Sequence, residues 1–323
     1  MTFELSDGRK LRYAFALCGK FQCAKLRESL RVLVELVRAK TRDGVRLHGA
    51  FSAAAEQAVG ANVDAAILVH GVGSNFYSSA MMESVSVALV EHGVATLRVN
   101  TRGHDGVNTV STDQGGRLQG AAFEIVDDCR YDMEAWCELL ADRGMKRIAL
   151  VGHSLGAIKV LYAHAHQPHR LTTNVVAISP PRLSYEVLSK GPGTDDFQSS
   201  FADANRLVSQ SQPNALFYST FPFSLVLSAG TFVDKYGPQD RYNLLKVAPQ
   251  VRGQLNFVFG QQELSEGNSA FDQLVQQLEA ATWPFGRPGI DVISAANHFY
   301  VDCFSQLQNA IWQALQESAG KDA

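Results

Sequence analysis

Five residues, Gly152-His153-Ser154-Leu155-Gly156, hold the clearest chemistry in the chain. They follow the apolar run Ile148 to Val151 and precede a helical pattern from Leu155 to about Gln167, so Ser154 stands on a strand-to-helix turn. A serine on such an elbow projects its hydroxyl above the sheet edge, and the flanking glycines let strand and helix backbones approach closely. Free N–H groups and the positive end of the following helix favour a developing oxyanion beside it. Attack of the serine on a carbonyl is the chemistry this arrangement suits. A hydroxyl is a poor nucleophile at neutral pH, so an imidazole oriented by a carboxylate has to come from elsewhere in the chain.

The elements that must position Ser154 are legible around it. Residues 31–40 and 45–51 both alternate, with Arg42-Asp43-Gly44 between them, which predicts an antiparallel hairpin. Ala65 to Val69 reads as a buried strand opening into His70-Gly71-Val72-Gly73-Ser74-Asn75, and a helix follows with Met81, Val85 and Leu89 on one face. Val94 to Asn100 is the next strand, leading into Thr101-Arg102-Gly103-His104-Asp105 and a loop rich in Gly, Thr, Ser and Asp through Gly120. Ile125, Cys129, Met133, Trp136 and Leu140 recur at helical spacing over 124–140. Beyond the elbow, Asn174 to Ile178 and Gln254 to Phe259 read as strands. A helix with Phe271, Leu274 and Leu278, a strand near Ile290 to Ile293 and a final helix through Phe304, Leu307, Ile311 and Leu315 complete the pattern.

Strands alternating with amphipathic helices imply an α/β fold: a mostly parallel central sheet with helices on both faces, fronted by the antiparallel hairpin. Residues 182–248 break that rhythm and carry many aromatics, among them Phe197, Phe201, Phe217, Phe221, Phe232 and Tyr236. The expected organisation is an N-terminal extension over 1–30, a core made of 31–181 and 249–323, and a cap inserted over 182–248. The cap aromatics read more readily as a small core of their own than as a ligand box.

Composition narrows the partners. At 46% hydrophobic and 19% charged, the chain has ample material for a core. A net charge of -3 gives no reason to expect nucleic acid or an acidic membrane, and no stretch of eighteen apolar residues is present to span a bilayer. Cys18, Cys23, Cys129, Cys137 and Cys303 are an odd, widely spaced set, which points to free thiols and a cytoplasmic protein. No cofactor is implied and no metal is expected: Cys18 and Cys23 lack partners at zinc spacing, and in His164-Ala165-His166 residues two apart on a helix face different ways. The oligomeric state is left open.

His70-Gly71, Arg102-Gly103-His104, Gly152-His153-Ser154-Leu155-Gly156, a glycine followed three residues on by an acid, and a late histidine together resemble the α/β-hydrolase fold superfamily, in its serine esterase and lipase-like branch. The resemblance covers roughly residues 32–318, with 182–248 in the place of the variable cap. It implies the chain order Ser, acid, His. His298, in Ala296-Asn297-His298-Phe299, is the histidine that follows the last core strand, and it becomes the base. Glu263 sits just past a buried strand where this family carries its acid; Asp272, Glu266, Asp234 and Asp240 are its rivals. By position in the family pattern, the oxyanion donors are the backbone amides of Leu155 and Val72. Gly71 and Gly73 let the second loop approach the substrate, which His153 also borders. Asn75 and Tyr77 either line the pocket or serve a helix cap.

Three classes of function follow. The leading one is a serine hydrolase that cleaves a carboxylic ester of a small to medium, moderately apolar substrate through an acyl-enzyme. An acyltransferase with the same residues, or an amidase or lactonase, is the alternative. A non-catalytic binding protein has no need of serine, acid and histidine in order. Carboxylate-nucleophile chemistries, such as dehalogenation and epoxide hydrolysis, are disfavoured by a serine at the elbow.

Overall fold

Runs such as Ala65-Ala66-Ile67-Leu68-Val69 are apolar throughout because both faces of their strand are covered. The computed structural model describes residues 2–4, 10–12, 34–54, 60–191, 193–265 and 267–316. The chain divides into two units, Met1–Val32 and Leu33–Ala323. In the first, Thr2–Glu4 pairs antiparallel with Lys10–Arg12. The remainder of the expected extension, with Cys18 and Cys23, lies outside the described residues.

The second unit is built on eight strands: β1 (Glu35–Lys40), β2 (Arg46–Ser52), β3 (Ala65–Val69), β4 (Ala95–Val99), β5 (Ile148–His153), β6 (Thr172–Ile178), β7 (Gln254–Gly260) and β8 (Gly289–Ile293). Their order across the sheet is β8-β7-β6-β5-β3-β4-β2-β1. The pairs from β8 to β4 are parallel, whereas β2 runs antiparallel to both β4 and β1. This is the mostly parallel sheet with an antiparallel hairpin at one edge that the sequence predicts.

Period-2 alternation sorts the strand side chains between two cores. Ala65, Ile67 and Val69 of β3, with Ile148 and Leu150 of β5, face one of them. That side is covered by α2 (Cys129–Asp142) and α3 (Leu155–His166), through Trp136, Ile158 and Leu161. Ala66, Leu68, Ala149 and Val151 face the other, where α1 (Ala80–Glu91) and the C-terminal helix Phe304–Leu315 bring Met81, Val85, Leu307 and Ile311.

Three regions go beyond the sequence reading. Asn108–Thr112 and Gly115–Gln119 pair as a hairpin inside what reads as a loop, because four of the second strand's five residues are exposed and leave no alternation to find. The helix expected from 124 begins as a single 3-10 turn, Val126–Asp128. Residues 182–248 contain the helices Tyr185–Leu188, Thr194–Ser209, Ala229–Tyr236 and Leu244–Val247, and the hairpin Leu216–Ser219 with Leu225–Ser228. Their aromatics pack on one another but continue the cluster under the sheet and form no separate core: Phe197 and Phe232 are fully buried, and Phe197 packs on Phe201, Phe221 and Tyr185.

A buried ionic knot braces the turn after β4. Arg102, fully buried, donates from Nε and Nη2 to Asp132 Oδ1 at 3.0 and 2.9 Å, and from Nη1 and Nη2 to Asp43 at 2.8 and 3.0 Å. Its backbone N–H donates to Asp132 Oδ2 at 2.9 Å. One guanidinium thus joins the β1–β2 turn, the turn after β4 and the start of α2. Arg102→Met leaves Asp132 buried without its cation, and a loss of about 3–5 kcal/mol is expected. Urea unfolding measures it, and Arg102→Met with Asp132→Leu recovers part of the loss if the unpaired charge is its cause.

Candidate active site

The chain leaves β3 toward β4 on one side and leaves β5 toward β6 on the other. Between these adjacent strands the connections diverge, and the crevice at their carboxyl ends is where open α/β sheets bind ligands. Val69 of β3 lies level with Gly152 of β5. The loop His70 to Gly73 and the elbow at Ser154 therefore emerge side by side.

Ser154 has φ 55° and ψ −123°, a conformation that disfavours any residue with a side chain by about 1–3 kcal/mol. Its neighbours explain how the turn is held. A Cβ on Gly156 would collide with the carbonyl oxygens of His70 and Val69, and one on Gly152 with the carbonyl of Gly156. Gly71 passes over the serine itself, since a Cβ there would sit 3.2 Å from Ser154 Cβ. The Ser154 N–H is anchored on Ile178 O at 2.9 Å. Leu155 is the first residue of α3, so its N–H has no acceptor inside the helix.

Glu263 and His298 are brought together from residues 35 apart. His298 Nδ1 lies 2.7 Å from Glu263 Oε2. A carboxylate accepts, so Nδ1 carries the proton and Nε2 is left as the basic nitrogen. The carboxylate is itself fixed: its Oε1 accepts from Ser179 Oγ at 2.6 Å and from the Gly260 N–H at 2.8 Å, and its residue is 3% exposed. Ser179 Oγ also meets the Tyr300 hydroxyl at 2.9 Å. Gly260 permits the approach of the His298 loop, because a Cβ there would lie 2.5 Å from Ala296 O. Neither Ser179 nor Tyr300 carries a local sequence signal for these contacts, which join residues 84 and 121 positions apart.

His153 is buried beneath His298, its Nε2 donating to the His298 carbonyl at 2.8 Å with the two rings 4.8 Å apart. Burial first, and then the neighbouring His298, bring its pKa down to about 3, so it stays neutral. Through this bond the residue before Ser154 holds the backbone of His298. In the opposite loop Gly73 has φ 63°, a conformation suited to glycine. His70 Nδ1 lies 2.7 Å from Gly71 O.

The remaining candidates are engaged elsewhere. Asp234 accepts from Tyr242, Asp240 accepts the Tyr185 N–H, and Glu266 lies outside the described residues. Asp272 meets Arg182 only through its backbone carbonyl, and its carboxylate is not the one that His298 Nδ1 meets. Asn75 Oδ1 takes the N–H groups of Tyr77 and Ser78, while its Nδ2 donates to Asp105. His164 meets Arg252 O, His166 meets Tyr162 O and His169 meets Glu138. Among the described residues no group of three or more His, Cys, Asp or Glu is placed to hold a metal ion, and no helix is long and apolar enough to cross a membrane. Two surface grooves of about 660 and 500 Å³ lie along β1 and α2, with neither Ser154 nor His298 in their walls.

A model of the alpha/beta hydrolase family matches residues 66–310. No curated protein matches the chain by sequence. Among solved structures the chain is similar to the alpha/beta hydrolase GrgF from Penicillium sp. sh18, at TM-score 0.64 and 15% identity, over 88% of this chain and 98% of that one. It is similar to Est1E from Butyrivibrio proteoclasticus with ferulic acid bound, at TM-score 0.59 and 15% identity, over 86% and 96%. A soluble variant of monoglyceride lipase from Saccharomyces cerevisiae in complex with a substrate analog matches at TM-score 0.60 and 16% identity, over 91% and 100%. At such identity these likenesses concern the fold.

Proposed function

The chain belongs to the alpha/beta hydrolase family, and from that premise we propose that it is a serine hydrolase cleaving carboxylic esters, with Ser154 as nucleophile, His298 as base and Glu263 as the acid that orients it. The observation that carries the reading is the Glu263–His298 hydrogen bond of 2.7 Å, set beside a serine held at positive φ. In this reading Ser154 Oγ attacks the ester carbonyl while His298 Nε2 takes its proton. The tetrahedral oxyanion is held by the Leu155 and Val72 N–H groups. His298 then returns the proton to the leaving alcohol, and water, activated by the same nitrogen, clears the acyl-enzyme. Residues 182–248 serve as the cap over this crevice. Phe299, 63% exposed, packs on His153 and His298, and Phe271 packs on His298 at 5.6 Å, which supports a moderately apolar substrate.

The test is p-nitrophenyl ester release from acetate to laurate, with an alkyl ferulate added because the similar Est1E holds ferulic acid. It is run beside fluorophosphonate labelling mapped by mass. Turnover with label on Ser154 is the expected result. Label without turnover redirects the search to acyl transfer or a narrow substrate, and absence of both refutes a serine hydrolase.

A further inference from the structure

Five residues beyond Ser154, on the same helix, stands a fully buried lysine. Lys159 Nζ forms an ion pair with Glu124, itself 1% exposed, and donates to Thr101 Oγ1 at 2.9 Å. Glu124 lies so close over Gly103 that a Cβ there would collide with its carboxylate. Against the effect of burial, Lys159 and then Lys235 hold the Glu124 carboxyl below its usual range. Lys235 is buried in the same neighbourhood, and its Nζ meets no hydrogen-bond partner among the described residues. A buried ion pair adds little stability over apolar side chains of similar volume. The pair needs another explanation, and its next contact supplies one.

Thr101 leads directly to the loop opposite the serine. Its backbone N–H donates to His70 Nε2 at 3.3 Å, and its hydroxyl lies 3.4 Å from the same nitrogen. Because Nε2 accepts, the proton of this imidazole sits on Nδ1, which donates to Gly71 O at 2.7 Å. Burial first, and then the Lys159 charge, bring the His70 pKa down to about 3; the bond to the Gly71 carbonyl and then Glu124 pull the other way, and His104 adds to the lowering. Gly71 C=O and Val72 N–H belong to one planar peptide unit. Fixing the carbonyl therefore fixes the direction of the amide on its other side.

We propose that Lys159, held by Glu124, is a positioning residue for the oxyanion hole: through Thr101 and neutral His70 it locks the Gly71–Val72 peptide with the Val72 N–H turned toward Ser154. The proposal rests on the reading of Val72 as an oxyanion donor. Lys159 donates to Thr101 Oγ1, so the hydroxyl proton of Thr101 is free to point at His70 Nε2. A protonated His70 would set its Nε2–H against the Thr101 N–H and turn the ring, leaving the Gly71 carbonyl held only by the longer bond from the Ser74 N–H at 3.3 Å. The lysine charge opposes that protonation.

The experiment uses Lys159→Met and Thr101→Val, with active sites counted by the end point of fluorophosphonate labelling on Ser154. Turnover per labelled site is expected to fall about 10- to 100-fold in Lys159→Met and several-fold in Thr101→Val, with KM nearly unchanged, below the full loss of one oxyanion donor. Affinity for a trifluoromethyl ketone, whose adduct carries the oxyanion, falls in proportion to kcat/KM. Where Lys159→Met does not fold, Lys159→Met with Glu124→Gln removes the stranded charge and carries the same expectation. A lower yield of labelled protein with undiminished turnover per site overturns the proposal and leaves the hydrolase reading standing. Wild-type protein that neither labels nor turns over refutes that reading, and the proposal falls with it.

Discussion

Ser154→Ala is expected to lower kcat on a small aryl ester by about a thousandfold or more, with KM little changed. The substitution deletes the oxygen proposed to attack and nothing that the fold depends on. The elbow is held by the Ser154 N–H on Ile178 O and by close backbone contacts at Gly152 and Gly156, none of which involves the hydroxyl. Alanine at φ 55° is strained to about the same degree as serine, so the unfolding midpoint should move little. The proposed oxyanion donors are backbone amides and would survive, leaving a residual rate from binding and oxyanion stabilisation alone. Steady-state kinetics beside a urea melt read both quantities. Turnover persisting near the wild-type rate would remove Ser154 from the reaction.

Much of this arrangement is written locally in the sequence. The elbow is contiguous, its strand and helix carry their own periodicities, and the final helix begins and ends at the residues its apolar spacing marks, Phe304 and Leu315. The β1–β2 hairpin follows from two alternating runs around Asp43-Gly44, and Gly44 indeed takes φ 85°. What escaped reading is of two kinds. Some elements lack a one-sided apolar pattern: the buried positions of helix Thr194–Ser209 are Phe197, Ser200 and Ala204, and two of those three are small or polar. Others are pairings between distant residues. Ser179 meets Glu263 across 84 positions and Tyr300 across 121, and nothing local in a serine before two prolines announces either bond. Lys159 is the sharpest example, because a lysine in an otherwise apolar helix reads as a solvated residue until Glu124 and Thr101 are found against it.

Glu263→Gln is expected to lower kcat by about a thousand- to ten-thousandfold, although it changes one atom and almost no volume. The reason lies in the donors that surround the carboxylate. Oε1 accepts two hydrogen bonds, from Ser179 Oγ and the Gly260 N–H, so a glutamine places its single carbonyl oxygen there. Its NH2 group then faces His298 Nδ1, where Glu263 Oε2 sits at 2.7 Å. Two donors cannot share that contact, so the imidazole takes its proton on Nε2 and, in the proposed mechanism, would offer Ser154 an N–H in place of a lone pair. On the proposed roles the serine would lose its base, and the imidazolium formed during attack would lose the charge behind it. Glu263→Asp keeps the charge and shortens the reach by one methylene, so it should retain more activity than the isosteric amide. That order, aspartate above glutamine, separates control of the tautomer from simple loss of packing, which would penalise the shorter side chain more. A loss of less than tenfold in Glu263→Gln, with Ser154 still essential, would assign the orienting role to another carboxylate and leave Glu263 as a brace between Gly260 and Ser179.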